Sequence, residues 1–194
     1  MHVGQKTGLR GVFVSGLRKT VALVGMMGAG KTAVGKALAT RLDVPFLDSD
    51  QEIEKAADRS IAEIFSRDGE AFFRARETEV IGRLLDTERG ILSTGGGAFL
   101  SEVNRRMIAD KGIAVWLKAD LDLLWSRVKH KNTRPLLRTA NPYETLRELV
   151  AARTPAYEMA GIVVEAEPGL SIDAMADKVI GALAAHGGIL EEDQ

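Results

Sequence analysis

The segment Gly25-Met26-Met27-Gly28-Ala29-Gly30-Lys31-Thr32 sets glycines, a lysine and a hydroxyl at the spacing G-x-x-x-x-G-K-[ST]. It follows the apolar run Val21–Val24 and leads into a helical pattern, the context in which that spacing makes a phosphate cradle. Glycines let backbone N–H groups turn inward around phosphate oxygens, where a side chain would collide. The helix start adds partial positive charge. Lys31 can reach the β- and γ-phosphates of a nucleotide, and the Thr32 hydroxyl suits magnesium. The bland alternative is a Gly-rich turn that ends in a surface lysine. Met26 and Met27 fill the variable positions, and nothing requires them to touch a substrate.

Two acids follow the next strand candidate, where Phe46-Leu47 leads into Asp48-Ser49-Asp50. At a strand tip Asp48 would face the loop and could hold a magnesium-bound water. Asp50, one step further out, could accept a hydrogen bond from a substrate hydroxyl and act as its base. The competing reading is that one of the acids caps the following helix. A third strand candidate ends in Thr94-Gly95-Gly96-Gly97. Consecutive glycines cost conformational entropy, and close approach of a ligand is a physical reason for bare Cα atoms; a tight strand-to-helix turn is the alternative. No acid ends that strand, so the usual second metal-binding aspartate of phosphate-loop enzymes is missing there. Asp120, after the fourth strand, reads as a helix cap.

Arginines occur in Gly69-Glu70-Ala71-Phe72-Phe73-Arg74, in Asn132-Thr133-Arg134-Pro135-Leu136-Leu137 and in Arg153-Thr154-Pro155-Ala156-Tyr157. Each offers a planar fork that matches carboxylate or phosphate. Periodicity alone does not separate them from solvated surface arginines. His2, His130 and His186 have no partner at metal-ligand spacing, and Trp116 and Trp125 read as packing residues.

The elements that must position these groups alternate. Strand candidates are Val21–Val24, Pro45–Leu47, Gly90–Ser93, Ile113–Leu117 and Ile162–Val164. Helical stretches are Lys31–Leu42, Ser60–Asp86, Glu102–Asp110, Leu121–Val128, Tyr143–Tyr157 and Ile172–Ala185, with Ser60 and Glu63 forming a capping box. Nearly continuous apolar strands separated by helices predict a doubly wound α/β domain with a parallel sheet and ligands at the carboxyl ends of its strands.

Length and composition agree with that reading. A chain of 194 residues suits one domain, at 45% hydrophobic and 27% charged residues. A net charge of −1 gives no field that would draw it to nucleic acid or an anionic membrane. The chain has no cysteine, which excludes disulfides, thiolate zinc sites and a cysteine nucleophile. No apolar run approaches the ~20 residues of a membrane span. Residues 1–19, basic and punctuated by Gly4, Gly8, Gly11 and Gly16, read as a poorly ordered extension rather than a targeting peptide. Residues 20–186 then form a single domain, and 187–194 an acidic tail.

Together the motif segments resemble the shikimate kinase family from about Thr20 to Val164. That family's pattern is a phosphate loop, D-[ST]-D, G-E-x-x-F-R, three glycines after a strand, R-P-L-L and R-x-P-x-Y, and all six stand here in order. The resemblance implies a five-stranded parallel sheet of order 2-3-1-4-5, like that of nucleoside monophosphate kinases, with a mobile lid over about residues 129–140. It implies that Gly28, Ala29, Gly30, Lys31, Thr32 and Ala33 bind ATP phosphates, that Thr32 and Asp48 serve Mg²⁺, and that Arg127 stacks on adenine. Asp50, Arg74, Gly95, Gly96, Gly97 and Arg153 would bind shikimate, with Arg74 and Arg153 on its carboxylate. Glu77 would brace Arg74, and Arg134 would meet the ATP phosphates. Lys31, Asp50 and Arg134 would be catalytic. The implied activity is transfer of the γ-phosphoryl group of ATP to the 3-hydroxyl of shikimate, a step toward chorismate and the aromatic amino acids, by a cytoplasmic monomer. A gluconate-type kinase and a catalytically silent relative are the alternatives; retention of every named charged residue speaks against the second.

Overall fold

Uninterrupted apolar runs become the strands of a sheet covered by helices. The computed structural model describes residues 8–9, 12–130 and 135–192. In chain order they form β1 (Gly8–Leu9), β2 (Val12–Leu17), β3 (Thr20–Val24), α1 (Lys31–Leu42), β4 (Phe46–Asp48), α2 (Ser49–Ala57) and α3 (Ile61–Thr87). There follow β5 (Ile91–Ser93), α4 (Glu102–Lys111), β6 (Gly112–Lys118), α5 (Leu121–Val128), α6 (Pro142–Tyr157), β7 (Ile162–Glu165), α7 (Ile172–His186) and β8 (Leu190–Glu192).

Five strands pair in parallel in the order β4-β5-β3-β6-β7. Counted within this sheet alone, that is the expected 2-3-1-4-5. All residues of β3 and β5 are buried, as their apolar sequences require between two helical layers. Trp116 joins the core and Trp125 packs against it, edge-on to Tyr143 with ring centroids 5.5 Å apart. Register decides where the site can be. Leu23 stands opposite Ser93, and Ser93 opposite Asp48, so the segments after β3, β4 and β5 leave the sheet side by side.

Helix starts follow local chemistry. Ser60 accepts from the Glu63 N–H and its own N–H donates to Glu63, completing the capping box. Asp120 caps α5 through the Leu123 N–H at 2.7 Å, the role its sequence context suggests. The long pattern of α3 is not one straight helix: Gly69 breaks it with φ 81° and ψ 173°, a conformation that only glycine adopts at ease. The break opens the G-E-x-x-F-R segment and sets a new direction for the stretch carrying Phe73, Arg74 and Glu77.

The chain ends depart from expectation. β2 pairs antiparallel with β8, with Leu17 opposite Leu190, and the Arg18 N–H donates to the Ile189 carbonyl at 2.8 Å. Part of the segment read as a poorly ordered extension, and part of the acidic tail, are thus strands. Burial of Leu17, Ile189 and Leu190 outweighs the interrupting glycines and terminal acids. No helix among the described residues is long and apolar enough to cross a membrane.

Replacing Ser60 by Ala removes one half of the capping box and should cost about 1 kcal/mol. For a domain of this size that lowers Tm by about 2–4 °C, measurable by calorimetry, with catalytic constants unchanged.

Candidate active site

Three loops meet at the carboxyl edge of the sheet and line a cavity of about 460 Å³. The first is the glycine-rich loop after β3. Gly30 closes it with φ 95°, a left-handed turn that starts α1 without a Cβ penalty. Gly28, Ala29, Gly30, Thr32 and Ala33 all line the cavity, as the cradle reading expects. The Lys31 ammonium donates to the carbonyls of Gly25 at 2.7 Å and Met26 at 3.0 Å. Arg127, from α5, reaches across to the same loop, and its Nη1 donates to the Gly28 carbonyl at 3.1 Å. Met26 is buried, and Met27 borders the cavity.

The second loop follows β4. Asp48 caps α2, its Oδ1 accepting from the N–H groups of Asp50 at 3.0 Å and Gln51 at 3.2 Å. The capping reading therefore holds for Asp48, which also lines the cavity with Asp50. Burial, and then the charge of Asp48, push the Asp50 carboxyl above the usual carboxylate range, against the pull of Lys31 and Arg74. Such a group is poised to take up a proton.

The third loop is Thr94–Gly97. The Thr94 hydroxyl donates to the Leu23 carbonyl at 2.9 Å, and the Gly95 N–H donates to Ser49 Oγ at 3.2 Å, which pins the loop to both neighbours. Each glycine leaves room for a different charged side chain. A Cβ on Gly95 would lie 2.8 Å from Asp50 Oδ1, one on Gly96 3.2 Å from Arg153 Nη1, and one on Gly97 2.5 Å from Arg74 Nη2. Before any ligand arrives, the bare Cα atoms let Asp50, Arg153 and Arg74 converge.

The two arginines are held differently. Arg74 Nη1 donates to Glu77 Oε2 at 2.8 Å, one helical turn on, while Glu70 lies 3.5 Å away. Glu77 is 1% exposed, and burial raises its carboxyl above the usual range although Arg74 pulls it down. Arg153, from α6, is 8% exposed and has no ion pair among the described residues. A buried guanidinium without a carboxylate is costly, and an anion beside it would offset that cost. Arg134 lies outside the described residues, as do residues 131–134 of the segment read as a lid.

Sequence reasoning gave no role to Tyr157. Its hydroxyl donates to the Gly96 carbonyl at 2.5 Å, and the Arg153 guanidinium packs against the Cα of the same glycine. The available signal was its place four residues after Arg153, on the same helix face.

The sequence model of the family described as Shikimate kinase matches residues 27–184. A shikimate kinase of Ruegeria pomeroyi is 64% identical over 175 residues, 90% of each chain. One of Cereibacter sphaeroides is 62% identical over 178 residues, 92% of this chain and 89% of that one. The solved structure of shikimate kinase from Acinetobacter baumannii in complex with shikimate superposes with a TM-score of 0.81 at 39% identity, over 87% of this chain and 94% of that one.

In Gly97→Ala the new methyl collides with Arg74, and the guanidinium must move. Equilibrium binding of shikimate, measured by calorimetry, should weaken by about tenfold to a hundredfold, with nucleotide binding unchanged. Wild-type affinity in this variant would show that Arg74 takes no part in the clamp.

Proposed function

The chain belongs to the shikimate kinase family, and we propose that it transfers the γ-phosphoryl group of ATP to the 3-hydroxyl of shikimate through the groups described above. It is an ATP-dependent small-molecule kinase with an alcohol as acceptor. The observation that carries the residue assignment is Arg153: a buried guanidinium without an ion pair among the described residues, packed against Gly96, which lines the cavity with the phosphate loop, while Arg74 packs against the next glycine.

Arg74 and Arg153 grip the shikimate carboxylate as two forks. Gly95, Gly96 and Gly97 let the ring lie close to the backbone. Asp50 accepts the proton of the attacking hydroxyl, whose oxygen bonds to the γ-phosphorus as the bond to the β,γ-bridging oxygen breaks and ADP leaves. Lys31 and the loop N–H groups carry the phosphate charge, Arg127 borders the nucleotide, and Arg134 belongs to this reading as a further phosphate contact.

Kinases of this class work with a divalent metal ion, and the reading assigns magnesium. The Thr32 hydroxyl and the Asp48 carboxylate line one cavity and offer hard oxygen donors, which fits that ion. Among the described residues no cluster of three His, Cys, Asp or Glu could hold a metal alone, so phosphate oxygens and water would complete the shell. When bound, the ion neutralises charge on the phosphates. The reading takes the enzyme to act as a monomer and in the cytoplasm, as the family resemblance implies.

ADP release should require shikimate and should not follow from gluconate. Asp50→Asn should lower kcat by about 10²–10⁴; near-normal kcat with a raised KM would make Asp50 a positioner. The base must be ionised, so kcat/KM falls as pH drops through the raised value of Asp50. An acidic limb that persists unchanged in Asp50→Asn would exclude Asp50 as the titrating group.

A further inference from the structure

We infer that Tyr157 is a positioning residue for the acid-binding half of the site, its hydroxyl holding the Gly96 peptide against which the Arg153 guanidinium packs. The inference rests on the proposed grip of Arg153 on the substrate carboxylate.

A phenol hydroxyl offers one donor and accepts through its lone pairs. Here the proton goes to the Gly96 carbonyl at 2.5 Å, and the Arg153 guanidinium packs against the Cα of that same glycine. Both partners belong to the site: Arg153 as the guanidinium without an ion pair among the described residues, Gly96 as the glycine whose bare Cα admits it. The hydroxyl also approaches Met26 Sδ at 3.8 Å, at the floor of the phosphate loop.

The ring itself needs no hydroxyl to stay where it is. It is 1% exposed and stacks on Trp116, with centroids 5.8 Å apart and 30° between the planes. Trp116 is fixed in turn opposite Val24 in the central sheet. Packing thus sets the position of the ring, and the ring delivers a hydroxyl to a fixed point between a helix and the glycine loop. Phenylalanine would satisfy the packing equally well. What it would lose is the polar link: the Gly96 carbonyl would be left unpaired, and the peptide against which the Arg153 guanidinium packs would be free to shift. Burial raises the Tyr157 hydroxyl above its usual range, so it stays protonated and remains a donor throughout the working pH range.

Tyr157→Phe in the full chain should raise KM for shikimate about tenfold, leave KM for ATP within about twofold and lower Tm only slightly. In an Arg153→Ala background the same change should add less than about twofold, because its effect passes through Arg153. An unchanged KM for shikimate would overturn the inference, as would equal rises for both substrates. A full tenfold effect without Arg153 would also overturn it. Failure of the unsubstituted chain to release ADP in response to shikimate would sink the reaction assignment, and this inference with it.

Discussion

A guanidinium does not give up its proton inside a protein, so Arg153, at 8% exposure, carries a charge that must be met by something. Among the described residues no carboxylate meets it. The neutral Tyr157 hydroxyl offers a dipole instead, which offsets only part of the desolvation. A substrate carboxylate would supply what the fold leaves out. The rest of the site can be understood as what keeps that unpaired charge in place: α6 that carries it, Trp116 and Tyr157 packed beneath it, and the bare Cα of Gly96 beside it.

Arg74 shows the contrasting solution. Its partner Glu77 is almost fully buried and comes from the next turn of the same helix, so Arg74 arrives oriented and largely neutralised. Burial pushes Glu77 toward protonation while Arg74 and its hydrogen bond hold the ionised form, so the pair is stable only as a pair. One arginine thus supplies direction and the other supplies net charge. A substrate with a single carboxylate needs that combination: two forks to fix it, and one uncompensated positive charge to attract it.

Much of this was legible in the sequence, for local reasons. The phosphate loop is a contiguous motif whose chemistry needs its own spacing, and the capping box and apolar strands obey short-range rules, so α1 and α5 begin and end where the pattern places them. Glu77 was legible as a brace because it sits one turn from Arg74. What was not legible depends on contacts between distant segments. β2 and β8 are separated by most of the chain, and their pairing is decided by burial of Leu17, Ile189 and Leu190 rather than by local propensity. The break at Gly69 sits inside a strong helical pattern. The three glycines suggested a ligand approaching the backbone, but not that Asp50, Arg153 and Arg74 would each lie against one of them. No spacing rule could match each glycine to its charged neighbour, because the register of three strands decides it.

That register also separates two kinds of recognition. The phosphate end is built from backbone N–H groups and a helix start, which recognise phosphate in general and depend little on which side chains surround them. The acceptor end is built from side chains on α3, the glycine loop and α6, each crossing to meet the others at one point. Discrimination between acceptors must therefore reside there. A site that leaves a buried polar group unpaired when the wrong molecule enters rejects that molecule by roughly 10⁴–10⁵, far more than a hydrophobic pocket achieves. On the proposed grip of Arg153 on the substrate carboxylate, the acceptor end falls in that class, since a neutral analogue of the substrate would leave its charge where it was. Within one sheet order, changes on α3, the glycine loop and α6 can then alter the acceptor while the cradle after β3 continues to hold the nucleotide.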